Sequence, residues 1–303
     1  MQTTSHLLMI RPVDFKFNAQ TAINNKFQEA AAQDNVQERA LAEFDGFVAL
    51  LRLNGVDVTV IDDTITPETP DSIFPNNWVS FHQNGQVILY PMFSENRRAE
   101  RRTDIIAAIG EKFNINKTID LSHYETTNVF LEGTGSLVLD RPHQIAYACL
   151  SLRTNEQVLA DFCTQSGYTA VVFKAVDSAG FPIYHTNVMM CVGDKFAVVC
   201  FDSIPDKAEQ EAVKQSLTHT GKIVVDISFD QMNHFAGNML QVQNKNGESL
   251  LVMSEQAYLT LTRVQIDTLE KFSKIIYAPL YTIEKNGGGS ARCMLAEVHL
   301  PLR

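Results

Sequence analysis

Basic side chains are in deficit. Twenty-five Lys and Arg stand against 35 Asp and Glu, a formal charge of −10 over 303 residues. Binding a nucleic-acid polyanion needs a surplus of cations, so that class of partner is excluded. Long apolar runs are missing too: none approaches the ~20 residues needed to cross a bilayer, so no membrane partner is expected. The opening Met1-Gln2-Thr3-Thr4-Ser5-His6 lacks the basic start and apolar stretch of a secretory signal. Cysteine is sparse, with Cys149, Cys163, Cys191, Cys200 and Cys293 odd in number and without a Cys-x-x-Cys pair. Reduced thiols in a cytoplasmic enzyme are expected rather than a disulfide framework. His123 and Glu125 have no companions at metal-ligand spacing, so no metal is expected, and no cofactor motif is present. Gly287-Gly288-Gly289 is followed by neither Gly-Lys-Ser/Thr nor a helix, which rules out a phosphate loop. No Pro/Ser/Gly linker divides the chain, and residues 1–303 read as a single domain.

What is present is α/β in character. His6 to Val13 reads as a first strand, and Val56 to Ile61 alternates as a second. Between them, Ala19 to Leu53 predicts one or two helices with an apolar stripe. Further helices are expected over Glu95 to Phe113, Asn155 to Gln165, Asp206 to Leu217, and Glu255 to Phe272, the last broken near Thr262.

A unit recurs through this pattern. Hairpins are predicted over 77–90, 136–149, 187–200 and 238–253, and 293–298 repeats the first half of one. The opening residues Asn77, Gly135, Asn187, Asn238 and Cys293 lie 58, 52, 51 and 55 residues apart. A strand pair and a helix repeating at that period suggest modules around a pseudo-symmetry axis, as in a propeller. Equivalent modules would aim their opening residues at one central cavity. Four stretches would then converge: 70–78, 130–136, 184–187 and 287–294. Together they supply a thiol, an imidazole, a carboxylate and several amides, the inventory of a Cys–His–acid nucleophilic site.

Single residues separate by their surroundings. Cysteines in apolar runs are core residues, which covers Cys149, Cys163, Cys191 and Cys200. Cys293 differs, because Gly-Gly-Gly-Ser-Ala-Arg leads into it and glycines let backbone and substrate approach a sulfur closely. The adjacent Arg292 would favour thiolate. His185 follows Phe181-Pro182-Ile183-Tyr184, where a structural histidine is the competing reading; for Glu132, ahead of two glycines, it is a surface turn.

Gly-Gly-x-x-Arg-Cys-Met near the C-terminus, His185-Thr186-Asn187 mid-chain and Leu131-Glu132-Gly133 before a strand resemble the guanidine-modifying superfamily of pentein fold. That superfamily includes arginine deiminases, dimethylarginine dimethylaminohydrolases and amidinotransferases. Pro70-Asp71, Phe74, Arg97-Arg98-Ala99-Glu100 and the segment 150–155 extend the resemblance over nearly the whole chain. It implies a five-bladed α/β propeller of ββαβ modules around a pseudo-fivefold axis. It also implies Cys293 as nucleophile, His185 as general acid and base, and Glu132 as the acid of the triad. Arg98 and Arg153, with Arg97 as the lesser candidate, match positions that hold a substrate α-carboxylate, a task suited to a bidentate guanidinium. Members of the superfamily are monomers or homodimers.

The departures from the pattern bear on substrate. Arginine-directed members close Phe-x-x-Asp with a carboxylate, whereas Phe74-Pro75-Asn76-Asn77 ends in an amide; His-x-Asp is here His185-Thr186-Asn187. Glu132-Gly133-Thr134-Gly135 replaces the family's [Glu/Asp]-Gly-Gly-Asp. A guanidinium only donates hydrogen bonds, while a ureido group is neutral and carries a carbonyl that an Asn N–H can satisfy. The expected partner is a ureido or guanidino amino acid. The sequence favours citrulline ureidase chemistry giving ornithine, with Asn77 and Asn187 at the ureido group and Asp71 accepting its N–H. A dimethylarginine or arginine hydrolase giving citrulline is the alternative, and a non-enzymatic pentein scaffold the third reading.

Overall fold

The computed structural model describes residues 1–29 and 35–303; within the helical stretch expected over 19–53, residues 30–34 lie outside the described residues. Among the described residues the strands form five sheets of three. They are β3-β4-β5 (Val79–Phe81, Gln86–Leu89, Lys117–Asp120), β6-β7-β8 (Val138–Asp140, Ile145–Cys149, Thr169–Phe173) and β9-β10-β11 (Met190–Val192, Phe196–Val199, Ile223–Asp226). The fourth is β12-β13-β14 (Leu240–Gln243, Ser249–Ser254, Lys274–Ala278), and the fifth joins β15 (Ala296–Glu297) to β1 and β2 (His6–Arg11, Asp57–Asp62). In each sheet the middle strand is antiparallel to one neighbour and parallel to the other. A hairpin makes the antiparallel pair in four sheets and the two ends of the chain, β15 and β1, make it in the fifth, but a parallel pair needs a crossover, which a helix supplies. Helices Thr103–Lys112, Glu156–Ser166, Lys207–His219 and Val36–Leu53 do so in four sheets; Glu255–Thr260 with Arg263–Leu269 does so in the remaining one.

Burial grades across each sheet. The first strands are almost wholly buried and the third strands are partly exposed. First strands of different sheets lie side by side, β15 with β3, β6 with β9, and β9 with β12. The apolar interior runs across neighbouring modules, and helices Lys207–His219 and Val36–Leu53 each pack between their own sheet and the preceding one, on β11 and β8 and on β2 and β14.

Two expectations needed revision. The opening residues do not begin strands. Asn77, Gly135, Asn187 and Cys293 sit in short helical turns, Pro75–Asn77, Gly133–Ser136, Thr186–Met189 and Ala291–Met294, and Asn238 lies in the irregular link before β12. Those turns pack on one another, so polar side chains face each other between the strand ends. The helix expected over Glu95 to Phe113 is two, Glu95–Arg98 and Thr103–Lys112. Between them Arg101 reaches Glu125, at 2.6 and 2.8 Å, and the backbone turns extended at Arg102. The break expected near Thr262 is present, where Thr262 and Gln265 form a capping box.

Candidate active site

Helix Tyr281–Gly287 ends on Gly288, whose φ of +62° is the left-handed conformation glycine takes at a helix C-terminus. The chain then passes over Cys293. An added Cβ at Gly289 would stand 2.9 Å from the Phe74 ring and 3.3 Å from Cys293 Cβ, so only glycine fits there. The turn Ala291–Met294 presents a thiol that is 3% exposed. Its Sγ accepts from Asn187 Nδ2 at 3.5 Å and from Asn238 Nδ2 at 3.3 Å. Asn238 is locked in turn by Arg292 N–H at 3.0 Å on its Oδ1 and by donating to Asn187 O. Cys293 thus has two amide donors on its sulfur although its side chain also joins an apolar cluster with Phe74 and Ala291; Cys149, Cys191 and Cys200 are core and Cys163 is half-buried. Arg292 does not face the sulfur as expected; its guanidinium turns to Glu297 at 2.8 Å and to the Leu295 carbonyl.

His185 caps the turn Thr186–Met189 and shares a cavity with Cys293. Its Nε2 meets Glu132 Oε2 at 2.7 Å, and both side chains are buried. Glu132 also accepts the Phe93 N–H at 2.9 Å, with Arg153 Nη1 at 3.4 Å. Burial alone would raise this carboxyl, but Arg153, the His185 bond and Arg97 outweigh it and hold it well below the carboxylate range. Burial lowers His185 to about 4 against the support of Glu132, which leaves the imidazole neutral near pH 7. With an ionised acceptor on Nε2, the hydrogen-bond network assigns the proton there and leaves Nδ1 as the basic nitrogen. Gly135 makes room for that edge: a Cβ there would lie 2.7 Å from His185 Nδ1 and collide with Asn77 Nδ2.

The remaining predicted residues divide. Asn77, Arg97 and Arg153 line the cavity with Cys293 and His185. Asn187 binds the sulfur but opens onto a separate small cavity with Arg292 and Glu297, and its buried Oδ1 has no partner. Asp71 is not brought to the cavity. Its Oδ2 accepts from Asn18 at 2.8 Å and Thr21 at 3.0 Å, which fixes it among N-terminal residues. Arg98 also lies outside the cavity wall, 3.6 Å from Glu125, with its Nε on the Met92 carbonyl. Arg153 is braced by Asn24 Oδ1 at 2.8 Å and by the Thr21 carbonyl. Among the described residues no carboxylate lines the cavity; the wall is completed by Phe74, Tyr184, Asn25 and the three glycines. Asn238, Tyr184 and Asn25 were not among the expected site residues. Asn238 occupies the same register of the repeat as Asn77 and Asn187, so the repeat carried its signal. Tyr184 donates to the Gly288 carbonyl at 2.6 Å, a long-range contact without a local signature.

Five three-stranded modules around such a site place the molecule among the pentein-fold, guanidino-modifying hydrolases. Within that class, residues 11–300 match the model of the eukaryotic N,N-dimethylarginine dimethylhydrolase family, and the chain belongs to it. No curated protein gives a significant match. Among solved structures, the N-terminal domain of ArgZ, a cyanobacterial arginine dihydrolase, bound to substrate, superposes with a TM-score of 0.76 at 18% identity, covering 98% of each chain. AgrE in complex with ornithine and NAD+ gives 0.77 at 18% identity, over 99% of this chain and 40% of that one. A dimethylarginine dimethylaminohydrolase adduct with S-methyl-L-thiocitrulline gives 0.67 at 15% identity, over 98% of this chain and 100% of that one. Full-length ArgZ is likewise spanned over only 41% of its length. At these identities the likeness is one of fold.

Proposed function

We propose that the five modules close as a propeller around a citrulline ureidase site. The observation that carries this reading is the wall of the cavity beside Cys293: amides, two arginines and, among the described residues, no carboxylate. Both arginines already have counter-ions, Arg97 in Glu100 and Arg153 in Glu132. No negative charge is left over for a guanidinium, whose charge-assisted bonds would be lost, while a neutral ureido group gives up nothing. Arg153 lines the cavity and is the guanidinium that would donate an N–H to the substrate α-carboxylate.

In the proposed reaction the neutral His185 takes the proton from the Cys293 thiol, and the sulfur adds to the ureido carbon. The oxygen gathers charge, which Asn77 N–H stabilises. His185 hands its proton to the δ-nitrogen as that C–N bond breaks, because an alkyl amide ion cannot leave. Ornithine departs and a carbamoyl group stays on sulfur. Water, deprotonated by His185, then adds to the same carbon; the C–S bond breaks, the sulfur recovers a proton from His185, and carbamate leaves to decay into ammonia and carbon dioxide. Glu132 keeps the ring oriented and balances its transient charge.

The second reading, hydrolysis of arginine or a methylated arginine, has in its favour the dimethylarginine family model and the arginine dihydrolase neighbours. Acid-quenching the enzyme during turnover and weighing the Cys293 peptide separates the two. A carbamoyl adduct from citrulline, absent in Cys293→Ser, is expected; an S-alkylthiouronium adduct from arginine that retains the ornithine chain, with none from citrulline, would favour the second reading.

A further inference from the structure

An asparagine side chain can present either its oxygen or its NH2 to a ligand, and what decides is the partner on the other side. Behind Asn77 stands Arg97, whose Nη1 reaches Asn77 Oδ1 at 2.8 Å. A guanidinium has no acceptor, so the atom facing it must be oxygen, and the NH2 is turned toward Gly135 and His185. The other contact, Asn77 Nδ2 to Asn76 Oδ1 at 3.0 Å, does not fix the choice, because Asn76 Nδ2 is buried without a partner and could serve a reversed amide after turning itself. Arg97 alone breaks that symmetry. Arg97 is itself fixed by Glu100, through Nε to Oε1 and Nη2 to Oε2, both 2.8 Å, with both side chains almost wholly buried. One competitor for Arg97 is close by: Asp71, whose carbonyl already accepts Nη2 at 3.3 Å and whose carboxyl Oδ1 is buried without a partner.

We propose that Glu100 is a positioning residue that, through Arg97, holds the Asn77 NH2 toward the catalytic cavity and so sets the site to receive a carbonyl oxygen rather than an amidinium. This rests on the ureido reading of the same site. Glu100 touches neither the cavity nor the sulfur; its effect runs through two side chains. Without its charge Arg97 moves to Asp71, and Asn77 is free to present an acceptor.

Two reagents of nearly one shape read this without turnover: 2-chloroacetamide offers Cys293 a neutral carbonyl, and 2-chloroacetamidine a cation. In Glu100→Gln the preference for the amide over the amidine, as a ratio of inactivation rate constants relative to wild type, is expected to fall about tenfold, the size of one charge-assisted hydrogen bond. A merely structural role would slow both reagents together, and an unchanged ratio overturns the proposal. Should Glu100→Gln not fold, Arg97→Lys tests the same link, since a point-like ammonium cannot span Glu100 and Asn77; a wild-type ratio there overturns it equally. Failure of wild-type enzyme to hydrolyse citrulline would strike the ureido reading and leave this ratio standing.

Discussion

Gly135→Ala puts the convergence of the site to a direct test. The residue lies in the short helical turn Gly133–Ser136 with an ordinary backbone conformation, so the substitution introduces a contact and no backbone strain. The new methyl would stand 2.7 Å from His185 Nδ1 and 2.8 Å from Cε1, and closer still to Asn77 Nδ2. Ordinary contact begins near 3.4 Å, so the ring has to retreat by about 0.7 Å and the amide by more. Neither has room: His185 is pinned by Glu132 at 2.7 Å, and Asn77 by Arg97 at 2.8 Å. A displacement near ~1 Å of a proton-transfer group costs roughly 10²-fold in rate. Overpacking costs about 1–3 kcal/mol, offset by up to ~1 kcal/mol of reduced chain entropy. Expected, therefore, is a fall of about a hundredfold in kcat/KM with a stability loss near ~1 kcal/mol, from steady-state kinetics beside urea unfolding. An unchanged kcat/KM would refute the claim that Asn77 and His185 meet over this glycine.

Acid titration follows from His185. Its folded value is lowered to about 4 from 6.5, so between those limits the unfolded chain binds the extra proton, and stability falls as pH drops through that window and is fully present above it. The acid limb of kcat/KM is expected well below 6.5, because the basic imidazole persists there; half-loss at 6.5 would mean a solvated ring. Asn238→Ala removes a donor from Cys293 Sγ and leaves the buried Arg292 N–H without its acceptor. It should cost about 1–3 kcal/mol in urea melts and change the alkylation rate of Cys293; no change in either would deny Asn238 its place at the sulfur.

The modular plan was legible because a hairpin followed by a helix leaves a period in the chain, and because parallel third strands require those helices. The same register brought Asn77 and Cys293 to one cavity, with Gly135 against His185 and Asn187 on the sulfur but opening elsewhere, all as turns and not as strand starts. Arginine was harder. Arg97 and Arg98 are neighbours on one helical turn, so they face different ways, and local sequence does not say which faces in. The structure turns Arg97 to the cavity and Arg98 to Glu125. Asp71 was beyond reach for a related reason: its partners Asn18 and Thr21 are set by tertiary packing; the Arg97–Glu100 pair has i,i+3 spacing, but its link to Asn77 does not follow from local sequence.

Initial rates on citrulline, arginine and dimethylarginine, measured side by side with product identification and Cys293→Ser as control, bear most directly on the neutral-amide cavity. Ornithine and ammonia released fastest from citrulline is the predicted outcome. Faster conversion of arginine or dimethylarginine to citrulline would contradict it, since a cation would then be bound where no carboxylate lines the wall.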